Sequence, residues 1–503
     1  MKSVLSLAIV VVTILLVAFA ERLGLPGGLA SWLVISALAI FVVGLSLLSA
    51  TSRLSIFLDG DEQAGWVGQI ALQVSLLAGA LTLLEASHLR DPAAGLALVA
   101  GYLAAVTIAP ARCAFQVRAQ PDRMMSGLDT AGMFGLATSA AAVLLMVVFF
   151  RPFVALLSDR VGESEVLVRA YGLDIVGMIG ILGGYAGLSR LSRGVLVLVL
   201  LFIVLPLLSD GLARGVSSLF DLPIRGDAAS LLAGATEMLS TQSDLSIPAV
   251  TGLCLGLVGL VFMPGQRSLK GRLGIALPAL IIVGGMAALL LREIWALERF
   301  MTASIFTAPP SEWPLFVFDE TLRGWMKVCG LSPRDAMDVL RSCGLTGPRE
   351  IVAAARVELS QHLFGPAMAG MRGWPVLFGY VWGLLGPLVA LCTICALLHA
   401  FATGLTESLL FRFARPNLLR SGRLVSARAV ILSTVIGLAW GHAHLPETEA
   451  HFARFVTLSA LFLASMSLLA SWVLEVRRWL AQRAARHRLK PDGATAMAPT
   501  TSP

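Results

Sequence analysis

Twelve apolar runs, most close to the ~20 residues a helix needs to cross a bilayer, recur along nearly the whole chain and leave no soluble domain large enough to dominate it. They fall at roughly 3–20, 28–49, 66–84, 93–109, 130–150, 171–188, 194–209, 248–264, 274–291, 375–400, 428–444 and 453–475. The fold class that follows is an all-α polytopic membrane protein. Composition agrees, since only 14% of the residues are charged and the mean hydropathy is +0.83. A soluble protein carries roughly 25% charged residues, so this chain cannot coat itself with a water-compatible surface and its first partner is the lipid bilayer. The net charge of +7 does not point to nucleic acid, because basic residues of membrane proteins collect in cytoplasmic loops. A composition rich in Ala, Leu, Gly and Arg fits a bacterial inner-membrane protein.

The loops alternate in basic content. One side carries Lys2, Arg53, the group Arg112 to Arg123, Arg190 and Arg193, the group Arg267 to Arg272, the group Arg412 to Arg428 and the tail from Arg477 to Lys490, which is 21 Lys or Arg. The short loops of the other side hold 8, and the long loop 292–373 holds 9. Long loops cross the membrane regardless of charge. This places the C-terminus and tail 476–503 in the cytoplasm and loop 292–373 outside. Within that loop, Cys329 and Cys343 are either a disulfide, if the compartment is oxidising, or two unrelated thiols. Segment 1–20 reads either as a signal peptide ending at Ala18-Phe19-Ala20 or as an extra, uncleaved helix.

With 1–20 and the leading helix 28–49 set aside, ten spans remain and divide into halves of five, 66–209 and 248–475. Five is odd, so the second half enters the membrane from the opposite side. That is the pattern of an inverted-repeat transporter, whose first helix in each half is often broken at the midplane. Here those helices carry Gly65, Gly68 and Gly79, and Gly252, Gly256 and Gly259. No nucleotide-binding motif is present in the sequence, which argues against a pump that hydrolyses ATP itself.

A series of local phrases follows the same order. Ala50-Thr51-Ser52-Arg53 leads into Phe57, and Gly65-Trp66 opens the first core span. Leu182-Gly183-Gly184-Tyr185 precedes Ser189-Arg190, and Ala390-Leu391-Cys392-Thr393-Ile394-Cys395-Ala396-Leu397-Leu398 precedes Glu407, Arg415-Pro416 and Leu424-Val425-Ser426. Taken together over about 28–475, the series resembles the sodium:solute symporter family, in particular a shortened, divergent member of its cation/acetate branch. The resemblance implies a leucine-transporter-like 5+5 inverted repeat with a leading helix. It implies symport of a small organic solute such as a monocarboxylate, driven by Na⁺ or H⁺, with no other cofactor. It also implies that an unwound stretch of the first core helix, around Gln69 and Gln73, meets solute and ion, and that Cys392 and Thr393 bind the ion. This sequence departs from the family at Cys392, where a hydroxyl is replaced, at Cys395, where an acid is replaced, and at Gly65, where an Asp is replaced. Na⁺ prefers oxygen, whereas thiols suit soft metals. A degenerate relative without transport is therefore a second reading.

The residues admit plainer accounts as well. Gln69 and Gln73 are four apart and share a helix face, so they contact solute or simply tie helices together. Thr393 can bond its own backbone. Asp174 lies near a span end, where a carboxylate is hydrated, and His399 lies at the inner end of its span, where an interfacial position is expected. Two rival constellations remain. Glu407 with the His442–His444 segment resembles the motifs of CAAX-type intramembrane proteases, in which a Glu and a His activate water. His442, His444, Glu447, Glu449 and His451 also crowd one short outer loop as candidate metal ligands or as a solvated turn.

Overall fold

The computed structural model describes residues 47–59, 65–83, 92–108, 130–161, 175–214, 246–263, 269–304, 377–414 and 419–444, with residues 172, 266 and 268 and scattered positions within 12–44 and 459–483. Asp174, Cys329, Cys343 and the Glu447–His451 part of the outer turn lie outside them, as does loop 305–376.

The described elements are helical throughout: α1 (Leu54–Asp59), α2 (Trp66–Leu83), α3 (Pro92–Ile108), α4 (Thr130–Val161), a short π-helical turn (Ile179–Gly183), α5 (Gly184–Arg214), α6 (Ser246–Val261), α7 (Leu269–Ser304), α8 (Leu377–Gly404), a π-helical stretch (Leu405–Ala414) and α9 (Arg420–His444). Six of the segments are long and apolar enough to cross a membrane, and α3 and α6 are shorter apolar helices. The apolar windows of α2 and α8 are 83% and 89% buried, against 33% for α7 and 22% for α9. The first pair therefore forms the centre of the bundle, and the second pair turns its apolar side chains, such as Ile281 and Ile436, outward to lipid.

Neighbours obey an exchange of the two halves. α3 lies along α6 and α7 along α2, α2 crosses α8 and α6 crosses α4, and α4 crosses α8. Swapping α2 with α6, α3 with α7 and α4 with α8 leaves this set unchanged, as two structurally repeated halves require. The α3–α6 seam is made by glycine. A β-carbon at Gly101 would stand 2.1 Å from the Ala249 carbonyl oxygen, and one at Gly252 would stand 2.0 Å from that of Leu98. Small residues at such crossings let backbones touch, which is how helices associate in lipid without a hydrophobic driving force between them.

Two details differ from the sequence reading. The break between the fourth and fifth spans falls at Gly184, not between 188 and 194. Gly184 has φ 50°, ψ −140°, a left-handed conformation open to glycine, and a β-carbon there would meet the Phe57 ring at 2.5 Å and the Phe57 carbonyl at 2.7 Å. The leading segment docks on this break. The Thr51 amide reaches the Leu182 carbonyl, Arg190 donates to the Leu48 carbonyl and the Ser49 hydroxyl, and Arg428 donates to the Thr51 carbonyl at 2.5 Å. The second difference is continuity. α2 and α6 run without interruption, so neither has the midplane break expected for the first helix of each half.

Candidate functional site

The site grows from the α2–α8 crossing. Gly79 lets the helices meet, since a β-carbon there would stand 2.0 Å from Thr393 Oγ1 and 2.6 Å from the Val389 carbonyl. Thr393 is fully buried and its hydroxyl is shared between the carbonyls of Ser75 on α2 and Val389 on α8, each at 3.1 Å. The Ser75 hydroxyl donates to the Ala71 carbonyl at 2.9 Å and interacts with the Cys392 thiol. Oxygens and one sulfur thus converge where helices of the two halves cross. Because α2 is unbroken, the Ser75 and Ala71 carbonyls remain in its ladder, and the Thr393 proton points into the oxygens that a cation would need. In this state the crossing is closed by its own hydrogen bonds. Cys395, one turn on, contacts the Val176 carbonyl at 3.9 Å and lies to the side of the crossing.

Gln73 is fully buried. Its amide nitrogen donates to the Gly259 carbonyl of α6 at 2.8 Å, and its oxygen accepts from the Tyr102 hydroxyl of α3 at 2.8 Å. Gly259 permits this approach, for a β-carbon would lie 2.6 Å from Gln73 Oε1. Gln73 is therefore a strut joining three helices, with one amide hydrogen and one lone pair to spare. Gln69 is also buried, one turn earlier on α2. The structure brings Cys392 and Thr393 against Ser75 and carries Gln73 toward α3 and α6 instead.

Ser75 and Tyr102 were missed by the sequence reading. Tyr102 had a signal, being one of only 4 tyrosines in the chain and set inside an apolar run where its hydroxyl needs a buried partner. His399 was misplaced. Its expected interfacial position is corrected to full burial, 1% exposed, because the apolar span does not end near 400 but continues through the π-helical stretch to Phe411. Its imidazole packs against Phe57, Phe262 and Tyr185 at ring-centroid distances of 5.6, 6.0 and 6.3 Å.

The protease constellation is not assembled. Glu407 is held by Arg423, with Nε to Oε1 at 3.0 Å and a second contact from Nη2 to Oε2, and the guanidinium lies 3.9 Å over the Phe411 ring. Arg423 lies in the first turn of α9 and His444 ends it. Twenty-one helical steps carry the backbone from Arg423, the partner of Glu407, to His444, about 30 Å along α9 at 1.5 Å per residue.

No family model and no curated protein matches the sequence. Among solved structures, the chain is similar to a Na⁺-coupled sialic acid symporter captured in a substrate-bound, outward-open state. The TM-score is 0.50, and the match covers 86% of this chain and 85% of that one at 10% identity. Such identity speaks to fold alone. With the paired neighbours of α2–α4 and α6–α8, it shows an all-α polytopic membrane protein whose fold is leucine-transporter-like.

Proposed function

We propose that this protein is a cation-coupled secondary transporter of a small organic solute, with a monocarboxylate as the substrate class that the sequence resemblance implies. It would sit in a bacterial inner membrane with its C-terminus in the cytoplasm. The observation that carries the reading is the α2–α8 crossing, where Thr393, Cys392 and Ser75 meet between the two halves. In inverted-repeat transporters the solute and ion bind near the midplane at the interface of the repeats. The fold shared with a Na⁺-coupled symporter supports the same assignment. For an ion to enter, α2 and α8 must part by enough to release the Ser75 and Val389 carbonyls from the Thr393 hydroxyl. Solute would then lie toward Gln69 and Gln73, once the Gln73 strut to Gly259 lets go.

One observation favours a second reading. α2 and α6 are both continuous, and without broken helices the fold loses the freed carbonyls and exposed helix ends that normally bind ion and solute. A degenerate membrane protein that has kept the scaffold without transport fits that feature. Uptake of labelled acetate and pyruvate into proteoliposomes, with an inward Na⁺ gradient, an inward proton gradient or neither, separates the two. Gradient-driven accumulation above protein-free liposomes is the expected result. Uptake no greater than in protein-free liposomes under every gradient would select the degenerate reading.

A further inference from the structure

His399 is the one buried histidine among the described residues. Histidine is the side chain whose charge ordinarily changes between pH 5 and 8, and an ionisable group inside a membrane bundle is a functional candidate by default. Neither ring nitrogen has a hydrogen-bond partner, and the Leu58 backbone approaches without the geometry of a bond. The ring is instead enclosed by three others. Each comes from a different segment, and each stands beside a discontinuity. Phe57 lies on α1 and wedges against Gly184, Tyr185 directly follows Gly184, and Phe262 directly follows the end of α6. Tyr185 also reaches the Phe262 carbonyl at 3.4 Å. A change at the imidazole is therefore felt at once by the leading segment, by the Gly184 break and by the end of α6.

The charged and titratable groups around it can be named element by element. From α1 there is the Phe57 ring, beside the Leu58 backbone, while the Asp59 side chain lies outside the described residues. α9 sends the Arg428 guanidinium to 5.6 Å from the Phe57 ring. α5 contributes the Tyr185 hydroxyl, and the described part of the turn after α6 contributes Phe262. On α8, Cys395 lies one turn before, and beyond its end Glu407 is already neutralised by Arg423. Among the described side chains no carboxylate here is free to hold a metal cation, while the aromatic faces can receive an imidazolium by cation–π attraction. Six positions up α8, about 9 Å along the axis, the crossing at Cys392 and Thr393 offers Na⁺ a sulfur, carbonyls still engaged in helix ladders, and the Thr393 and Ser75 hydroxyls, whose protons are committed to those carbonyls.

Resting on the transporter reading above, we infer that His399 is the coupling-ion site and that the ion is a proton, whose binding re-forms the contacts among Phe57, Tyr185 and Phe262 and so ties protonation to movement of the segments they belong to. No solute is needed to test this. Proteoliposomes adsorbed on a solid-supported membrane are stepped from pH 7.5 to 6.0 at constant salt and, separately, from KCl to NaCl at constant pH. The expected result is a transient charge displacement on the pH step that falls at least roughly tenfold in His399→Gln, with no Na⁺-specific current. Phe57→Leu, which opens the enclosure without touching the imidazole, should move the midpoint of the pH response by about tenfold in proton concentration. It decides the matter by itself if His399→Gln does not fold. A wild-type-sized pH current in folded His399→Gln, an unmoved midpoint in Phe57→Leu, or a current on the Na⁺ step with none on the pH step would overturn the proposal. Acetate uptake driven by Na⁺ and untouched by His399→Gln would remove the proton site and leave transport standing. Absence of both uptake and currents would remove both.

Discussion

Gly79→Ala tests whether the α2–α8 crossing is as tight as its geometry states. The added methyl would lie 2.0 Å from Thr393 Oγ1 and 2.6 Å from the Val389 carbonyl, against an ordinary carbon–oxygen contact of about 3.4 Å. Rotation of Thr393 could relieve the first clash. The second is with backbone inside α8 and cannot be relieved without moving the helix by almost 1 Å. That displacement would stretch the 3.1 Å bond from Thr393 to the Ser75 carbonyl beyond hydrogen-bonding range. Overpacking of this kind costs ~2 kcal/mol and the lost buried bond ~1 kcal/mol, while alanine returns up to ~1 kcal/mol of helix propensity. The net destabilisation is about 2 kcal/mol on these terms. Gly95→Ala is the control. A β-carbon at Gly95 meets nothing within 4 Å, so the same propensity gain of up to ~1 kcal/mol stands unopposed. The two variants should thus differ by about 3 kcal/mol. The assay is the fraction of monodisperse protein surviving a heating series in detergent, read by size-exclusion chromatography. Adding Thr393→Ala to Gly79→Ala should restore only part of the loss, because the Val389 carbonyl remains. A Gly79→Ala protein as heat-resistant as Gly95→Ala would refute the argument.

Gln73→Leu should destabilise the same preparation by about 3 kcal/mol, since it leaves the Gly259 carbonyl and the Tyr102 hydroxyl without their buried partner. Tyr102→Phe, which leaves one acceptor under-satisfied, should cost nearer 1 kcal/mol, and equal effects would contradict the strut. Arg423→Ala should cost ~3–5 kcal/mol by stranding the Glu407 carboxylate, and most of that should return in Arg423→Ala combined with Glu407→Leu. If the double variant is no more stable than the single one, the pair is not the reason. For orientation, a membrane-impermeant thiol reagent should label Cys329 or Cys343 in intact cells after reduction. Labelling that requires permeabilisation would reverse the topology.

Much of the architecture was legible because lipid leaves few options. Runs of apolar residues must be helices, so α2, α3, α4, α6, α7, α8 and α9 each overlap a segment marked by hydropathy alone, although α4, α7 and α9 run well beyond theirs. Gly184 was visible as part of a Gly-Gly phrase but not as the break, because the apolar character of 171–209 runs across it and only Phe57, some 130 positions earlier, shows why a side chain is excluded. The site was half legible. Thr393 and Cys392 drew attention through the resemblance as ion ligands; they stand against α2, and their partner there is Ser75, whose ordinary place in an apolar run carried no mark. Gln73 drew attention as a lone amide, but hydropathy cannot tell an amide that faces a cavity from one that bridges to Tyr102 and Gly259. His399 misled because its position depends on where the span stops. The span runs on past Gly404 as a π-helical stretch, and Glu407 at its start looks like a terminus until Arg423 is seen to neutralise it.

The seam between α3 and α6 has a use beyond cohesion. Where Gly101 and Gly252 bring main chain against main chain, no side chains stand between the helices to change rotamer, and sliding by a single register would drive a β-carbon into a carbonyl. Spin labels at Leu96 on α3 and Ile247 on α6, both outward-facing, should therefore give one narrow distance distribution under every ion and pH condition. That pair supplies an internal ruler, against which broadening between labels on α2 and α8 could be recognised as motion of the protein and not of the probe.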